Sequence, residues 1–145
     1  MFSISMIMKE GSLVILRKLD VEEFFDQMKR YRPTIFSGVP TVYKMLTDSF
    51  SPGNREILNS ISIGICGAAP MPVKWFQDFE NAYGIKIVEG YGMTDGTVAS
   101  TLNPRYGTRK TGSIGIPFPG QDVRIFFDAD EALPPGEIGE IESKG

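Results

Sequence analysis

Histidine is absent from all 145 residues, and cysteine occurs once, at position 66. The first absence excludes every Ser-His or Cys-His catalytic pair and every zinc site built on imidazole. The second excludes an internal disulfide framework and fits a reducing compartment. No apolar run approaches the roughly 20 residues that a membrane-spanning helix requires. The first eight residues are apolar but lack the basic leader and small-residue cleavage site of a secretory signal, so a cytoplasmic location is the default expectation. Excess positive charge is missing too. Lys and Arg number 15 against 18 Asp and Glu, a net charge of −3, and the pI is near 5.0, which argues against binding nucleic acid through its phosphates. What is present, 41% apolar and 23% charged residues, suits one domain with its own core.

The pattern along the chain predicts alternating helices and strands. Residues 2–9 read as the tail of a helix stopped by Gly11, and its apolar, uncapped start suggests a chain cut within a larger fold; a native N-terminal helix packed on the core is the alternative. Leu13–Leu16 reads as a short buried strand. Asp20 caps a helix with Glu23 three residues on, and Val21, Phe24, Phe25 and Met28 give it one apolar face. Thr34–Phe36 is the next strand, and Gly38-Val39-Pro40 turns into a helix carrying Val42, Met45 and Leu46. Ser51-Pro52-Gly53-Asn54 is a turn by composition. Ile61–Cys66 is a strand and Gly67–Met71 a loop. Pro72–Tyr83 is a helix with Val73, Phe76 and Phe79 inward, closed by Gly84. Ile85–Val88 is a strand. Such alternation implies parallel strands with right-handed crossovers. After residue 96 no helix pattern returns, and Asp122–Phe127 and Glu137–Ser143 read as paired strands around Pro134-Pro135-Gly136. The expected fold class is α/β: a parallel sheet with flanking helices over residues 1–101, then the start of a small antiparallel sheet or barrel over residues 102–145.

Two loops at strand ends carry the functional signal. Gly67-Ala68-Ala69-Pro70 is made of small residues, so a flat ring could approach its backbone. Any strand-to-helix turn could have that composition, and this reading stays open on the residues alone. Gly90-Tyr91-Gly92-Met93-Thr94-Asp95 ends in a hydroxyl and a carboxylate. With Gly96 it has a G-x-G-x-x-x-G spacing, but a dinucleotide fingerprint needs a helix to begin on the loop. Thr97-Val98-Ala99-Ser100-Thr101 gives no such signal. The better reading presents Thr94 to a phosphate oxygen and Asp95 to magnesium, a hard cation that shares carboxylates with substrate phosphates.

Together the loops resemble the adenine-binding loop and the Y-G-x-T-E signature of the adenylate-forming superfamily, which includes acyl-CoA synthetases, luciferase-like enzymes and peptide-synthetase adenylation domains. Val39-Pro40-Thr41-Val42-Tyr43 is similar to the family's V-P-T segment. Gly112-Ser113-Ile114-Gly115, with Pro117, resembles its G-S-x-G-x-P segment, and Gly136-Glu137-Ile138-Gly139-Glu140-Ile141 its G-E-x-G-E strand. Several matches in order are far more specific than one. The resemblance implies that Gly67, Ala68, Ala69 and Pro70 contact adenine and that Tyr91 packs on its face. Gly92 would pass close to the acyl-adenylate, Gly90 and Met93 would belong to the same cofactor-binding loop, Thr94 would bind the α-phosphate, and Asp95 would take the metal position. Thr94 and Asp95 are thus the candidate catalytic residues. The family usually has Glu where this chain has Asp95, and the shorter side chain reaches about 1.5 Å less far. Val39, Tyr43 and Cys66 are candidates for an acyl pocket, though core packing accounts for each equally well.

The implied reaction runs in two halves. Carboxylate and ATP give acyl-adenylate and pyrophosphate; a thiol, coenzyme A, then displaces AMP. The family's phosphate loop, ribose-binding aspartate and catalytic lysine do not occur in this sequence. The chain is therefore expected to be an internal piece of a large N-terminal domain of a fatty-acyl or related carboxylate ligase, using ATP, Mg²⁺ and coenzyme A. Alone it is expected to be inactive and, with apolar faces uncovered, to self-associate. The alternative is a stand-alone nucleotide-binding or assembly module without catalysis.

Overall fold

The computed structural model describes residues 2–94, 99–127 and 131–144. Five helices, α1 (Phe2–Met8), α2 (Val21–Tyr31), α3 (Pro40–Asp48), α4 (Pro52–Ile57) and α5 (Val73–Tyr83), alternate with or precede β1 (Ile35–Gly38), β2 (Ile63–Cys66) and β3 (Ile87–Tyr91). Four further strands follow: β4 (Thr101–Leu102), β5 (Ile116–Pro117), β6 (Asp122–Phe126) and β7 (Glu140–Lys144). One sheet has the order β1-β2-β3-β4-β5, and β6 pairs with β7 in a separate antiparallel ladder. The first three strands are parallel, with Ile35 opposite Ile63 and Cys66 opposite Glu89. β4 and β5 then join antiparallel, Tyr91 facing Thr101 and Leu102 facing Ile116. The α/β class with a small antiparallel sheet is as the sequence implies, and residues 101–117 extend the main sheet.

Local chemistry accounts for the helices. The Asp20 carboxylate accepts from the Glu23 N–H at 3.0 Å and starts α2, a cap that typically contributes about 1 kcal/mol. Phe24, Phe25 and Met28 are its buried face. Gly84 ends α5 in the left-handed conformation, which costs glycine nothing. An aromatic chain then ties the elements together. Phe24 meets Phe36 and Phe36 meets Tyr43 edge-on at 5.3 Å, and Tyr43 meets Phe79 at 4.9 Å. Such contacts link α2, β1, α3 and α5 and add about 0.5–1.5 kcal/mol each beyond burial. Gly64 makes room for this arrangement, since a Cβ there would sit 2.8 Å from the Tyr43 hydroxyl, which donates to the Ile65 carbonyl at 2.9 Å.

Several expectations are corrected. Ser51–Asn54 is no plain turn: the Ser51 hydroxyl accepts from the Asn54 N–H at 3.1 Å and Pro52 opens α4, the first-turn position where a missing N–H costs nothing. Leu13–Leu16 is not a strand. It borders, with Ile35 and Phe36, a trough of about 700 Å³ along β1, and without ladder bonds an extended segment has nothing to define it. Val73 is 47% exposed at the start of α5, whereas Phe76, Phe79 and Tyr83 face inward. Tyr43 is fully buried and belongs to the core, not to a pocket wall.

Candidate functional site

Parallel strands end together, so β1, β2 and β3 deliver Gly38, Cys66 and Tyr91 to one edge of the sheet. Outside those carboxyl ends lies a cleft of about 500 Å³. This is where ligands of open α/β sheets bind. Gly67 and Ala68 form one wall, and Gly90, Tyr91 and Gly92 another. The two loops lie backbone against backbone, since a Cβ on Gly67 would approach the Gly90 carbonyl oxygen at 3.4 Å. Ala68 adopts the left-handed region, φ +68°. Val39, Ile65, Leu102 and Phe118 supply hydrocarbon, and Ser37, Gly38, Cys66, Ala99 and Thr101 complete the lining.

The wall is held by bonds that sequence reasoning did not anticipate. Glu89, buried in β3, accepts from the Gly112 N–H at 3.1 Å. The Asn103 side chain donates to the Ser113 carbonyl, and its oxygen accepts from the Lys110 N–H at 3.2 Å. Thr101 Oγ1 donates to the Ile114 carbonyl at 2.7 Å. Arg109 spans the Glu80 carboxylate and the Ile87 carbonyl, and its guanidinium lies 5.0 Å over the Phe76 ring. The G-S-x-G segment is thereby fastened to β3 and β4. Its signal in the sequence is a charge, Glu89, inside an otherwise apolar strand, where charges survive only with partners.

Of the candidate residues, the structure brings Gly67, Ala68, Gly90, Tyr91 and Gly92 together around the cleft. Ala69, Pro70, Met93 and Thr94 are exposed and outside the lining. Asp95 lies outside the described residues. Small residues and backbone edges on both walls fit a planar base. A lone carboxylate is a suitable donor for Mg²⁺, and among the described residues no cluster of three potential metal ligands occurs.

Cys66 lines the cleft but is no nucleophile. Burial, and then the negative charge of Glu89, push its thiol from an ordinary 9.0 up to about 12. At pH 8 it is neutral, so iodoacetamide should alkylate it much more slowly than it alkylates the urea-unfolded chain; equal rates would contradict the burial. The unfolded thiol loses its proton near 9.0 and the folded one near 12. Stability from this group is therefore full below pH 9 and falls as pH rises toward 12. A Cys66→Ala variant should show a shallower alkaline decline in its urea midpoint.

A profile of the family described as "AMP-binding enzyme" matches residues 1–145. This chain belongs to the AMP-binding enzyme family. Its curated relatives are CoA ligases. A long-chain-fatty-acid–CoA ligase of Bacillus subtilis is 36% identical over 134 residues, covering 92% of this chain and 24% of the relative. An oxalate–CoA ligase of Saccharomyces cerevisiae is 31% identical over 137 residues, covering 94% and 24%. Among solved structures, ATP-bound MatB from Rhodopseudomonas palustris superposes with a TM-score of 0.88 at 33% identity, covering 99% of this chain and 28% of its own. The chain thus spans about a quarter of the length of these relatives. Among the described residues no helix is long and apolar enough to cross a membrane.

Proposed function

We propose that this chain is the adenylate-holding segment of an AMP-forming acyl-CoA ligase. The observation that carries the reading is the cleft at the carboxyl ends of β1–β3, walled by Gly67-Ala68 and Gly90-Tyr91-Gly92. In the first half-reaction a carboxylate oxygen attacks the α-phosphorus of ATP and the bond to pyrophosphate breaks. In the second, the sulfur of coenzyme A attacks the acyl carbon and AMP leaves. The residues of this chain bind and orient. Backbone of the 67–70 loop reads the adenine edge, Tyr91 packs on the ring, and Thr94 holds the α-phosphate. Asp95 would hold Mg²⁺, which supplies charge neutralisation for the phosphates. Residues 1–101 form the nucleotide-binding part and residues 102–145 open a second one, in a cytoplasmic enzyme of fatty-acid metabolism.

A half-site of this kind binds weakly. Titrating AMP into the 145-residue chain should move the amide resonances of Gly67, Ala68, Tyr91 and Gly92, with saturation near a millimolar Kd, about −4 kcal/mol. No shift at these positions up to tens of millimolar would sink the reading. The chain alone should show no ATP–pyrophosphate exchange above background; robust exchange would overturn its status as a segment of a larger enzyme.

Self-association is expected through a second copy meeting the free edge of β1. That edge has no ladder partner among the described strands, and Leu13, Ile15 and Ile35 beside it are 44%, 75% and 40% exposed. Sedimentation at micromolar concentration should show dimers or larger species, and a clean monomer would count against it.

A further inference from the structure

The ladder between β3 and β4 pairs Tyr91 with Thr101 and Gly90 with Leu102. One step further from the cleft, the Asn103 N–H donates to the Glu89 carbonyl at 2.9 Å. From this step two side chains reach one strap, residues 110–115. The Glu89 carboxylate accepts the Gly112 N–H at 3.1 Å. The Asn103 amide accepts the Lys110 N–H at 3.2 Å and donates to the Ser113 carbonyl. Thr101, beside them on β4, donates to the Ile114 carbonyl at 2.7 Å. Gly90, Tyr91, Thr101 and Leu102 line the cleft, and no strap residue does so among the described lining. Two polar side chains, only 9% and 3% exposed, are thus directed at a segment that stands away from the ligand space. Burying a carboxylate is costly even when it is bonded, and apolar packing could hold a strap as well. Hydrogen bonds add direction. They fix the strap, and through it the register and spacing of β3 and β4, and a wall set in advance binds without an ordering cost.

We infer that Glu89 and Asn103 are positioning residues of the nucleotide site: through the 110–115 strap they hold the β3–β4 wall, and with it Tyr91, in the geometry that receives the base. This rests on the adenylate-binding reading above, and the test separates the two. AMP is titrated into the 145-residue chain and its variants, followed at the amide resonances of Gly67, Ala68, Tyr91 and Gly92, with urea midpoints measured in parallel. Glu89→Ala and Asn103→Ala should each raise the AMP Kd at least about fivefold. Glu89→Gln keeps an oxygen for the Gly112 N–H and should stay within about twofold of the unaltered chain. Asp20→Ala, which removes only the α2 cap, should lower the urea midpoint and leave the Kd unchanged. One arm needs no variant to fold: in the unaltered chain AMP should slow hydrogen exchange at the Lys110 and Gly112 amides, because coupling between ligand and strap is reciprocal. Suppose the unaltered chain binds AMP. Alanine variants that bind as tightly, a Kd that merely follows the midpoint across all four variants, or unchanged exchange at those two amides would each overturn the positioning role and leave the nucleotide site standing. If the unaltered chain does not bind AMP, both readings fall.

Discussion

Gly115→Ala should cost the chain more than about 4 kcal/mol, or leave it unfolded, in urea denaturation. At this position φ is +91°, and an added Cβ would sit 2.1 Å from the Leu102 carbonyl carbon and 2.2 Å from the Asn103 nitrogen. Both are backbone atoms of or beside β4, so no side chain can swing aside. The strand after Gly115 is β5, whose Ile116 faces Leu102. To admit the methyl group the 112–117 segment must retreat. That breaks the Thr101–Ile114 bond and the Asn103–Ser113 bond and uncovers the cleft wall at Leu102. Gly107→Ala is the control. Its φ is +114°, but nothing lies within 4 Å of the new methyl, so only the local backbone penalty of about 1–2 kcal/mol applies. Similar costs at the two positions would refute the close approach as the cause.

Arg109→Met is the second large effect, expected at about 3 kcal/mol. Arg109 and Glu80 are only 20% and 22% exposed at their side chains. The fork matches both carboxylate oxygens, Nη2 reaching Glu80 Oε2 at 2.9 Å, and Glu80 Oε1 also accepts the Ile87 N–H at 2.7 Å. Removing the cation leaves a mostly buried carboxylate uncompensated, which is where truncating one partner is most damaging. The hydrogen bond to Glu80 foremost raises the Arg109 pKa, so the guanidinium stays charged. Adding Glu80→Gln to Arg109→Met should recover part of the loss, because the amide oxygen can still accept from Ile87 without carrying charge. Arg109→Lys should not restore full stability, since one ammonium cannot span two carboxylate oxygens and a carbonyl in the same plane. Additive costs for the two substitutions in a double-mutant cycle would show that the pair is not coupled.

Where local signals were strong, the chain was readable. Asp20 and Glu23 announced α2, Gly84 announced the end of α5, and apolar runs announced β1–β3 to within two or three residues. The loops after β2 and β3 could be matched to a family because small residues and a Y-G-x-T-D run are informative without any tertiary context. Phe118 and Leu102 were invisible as cleft residues. Two-residue strands have no periodicity to detect, and they reach the cleft only because β4 folds back on β3 and β5 on β4. Arg109 was unreadable for a related reason: its partners are 22 and 29 positions away, and a lone arginine in a polar loop looks solvated. Leu13–Leu16 misled in the opposite direction, because an apolar β-prone run specifies a strand only when a neighbour accepts its hydrogen bonds.

Ala68 stands at φ +68°, a conformation that glycine reaches freely and alanine only at about 1–2 kcal/mol. Glycine in its place would relieve that strain and raise the entropy of the unfolded chain at once, two changes of opposite sign. The net change in melting temperature would therefore be small, while the loop beside the cleft would gain conformations it lacks now. A methyl group that contributes little to stability acts here as a stiffener, and its removal should register in the rate at which a ligand is captured before it registers in any unfolding curve.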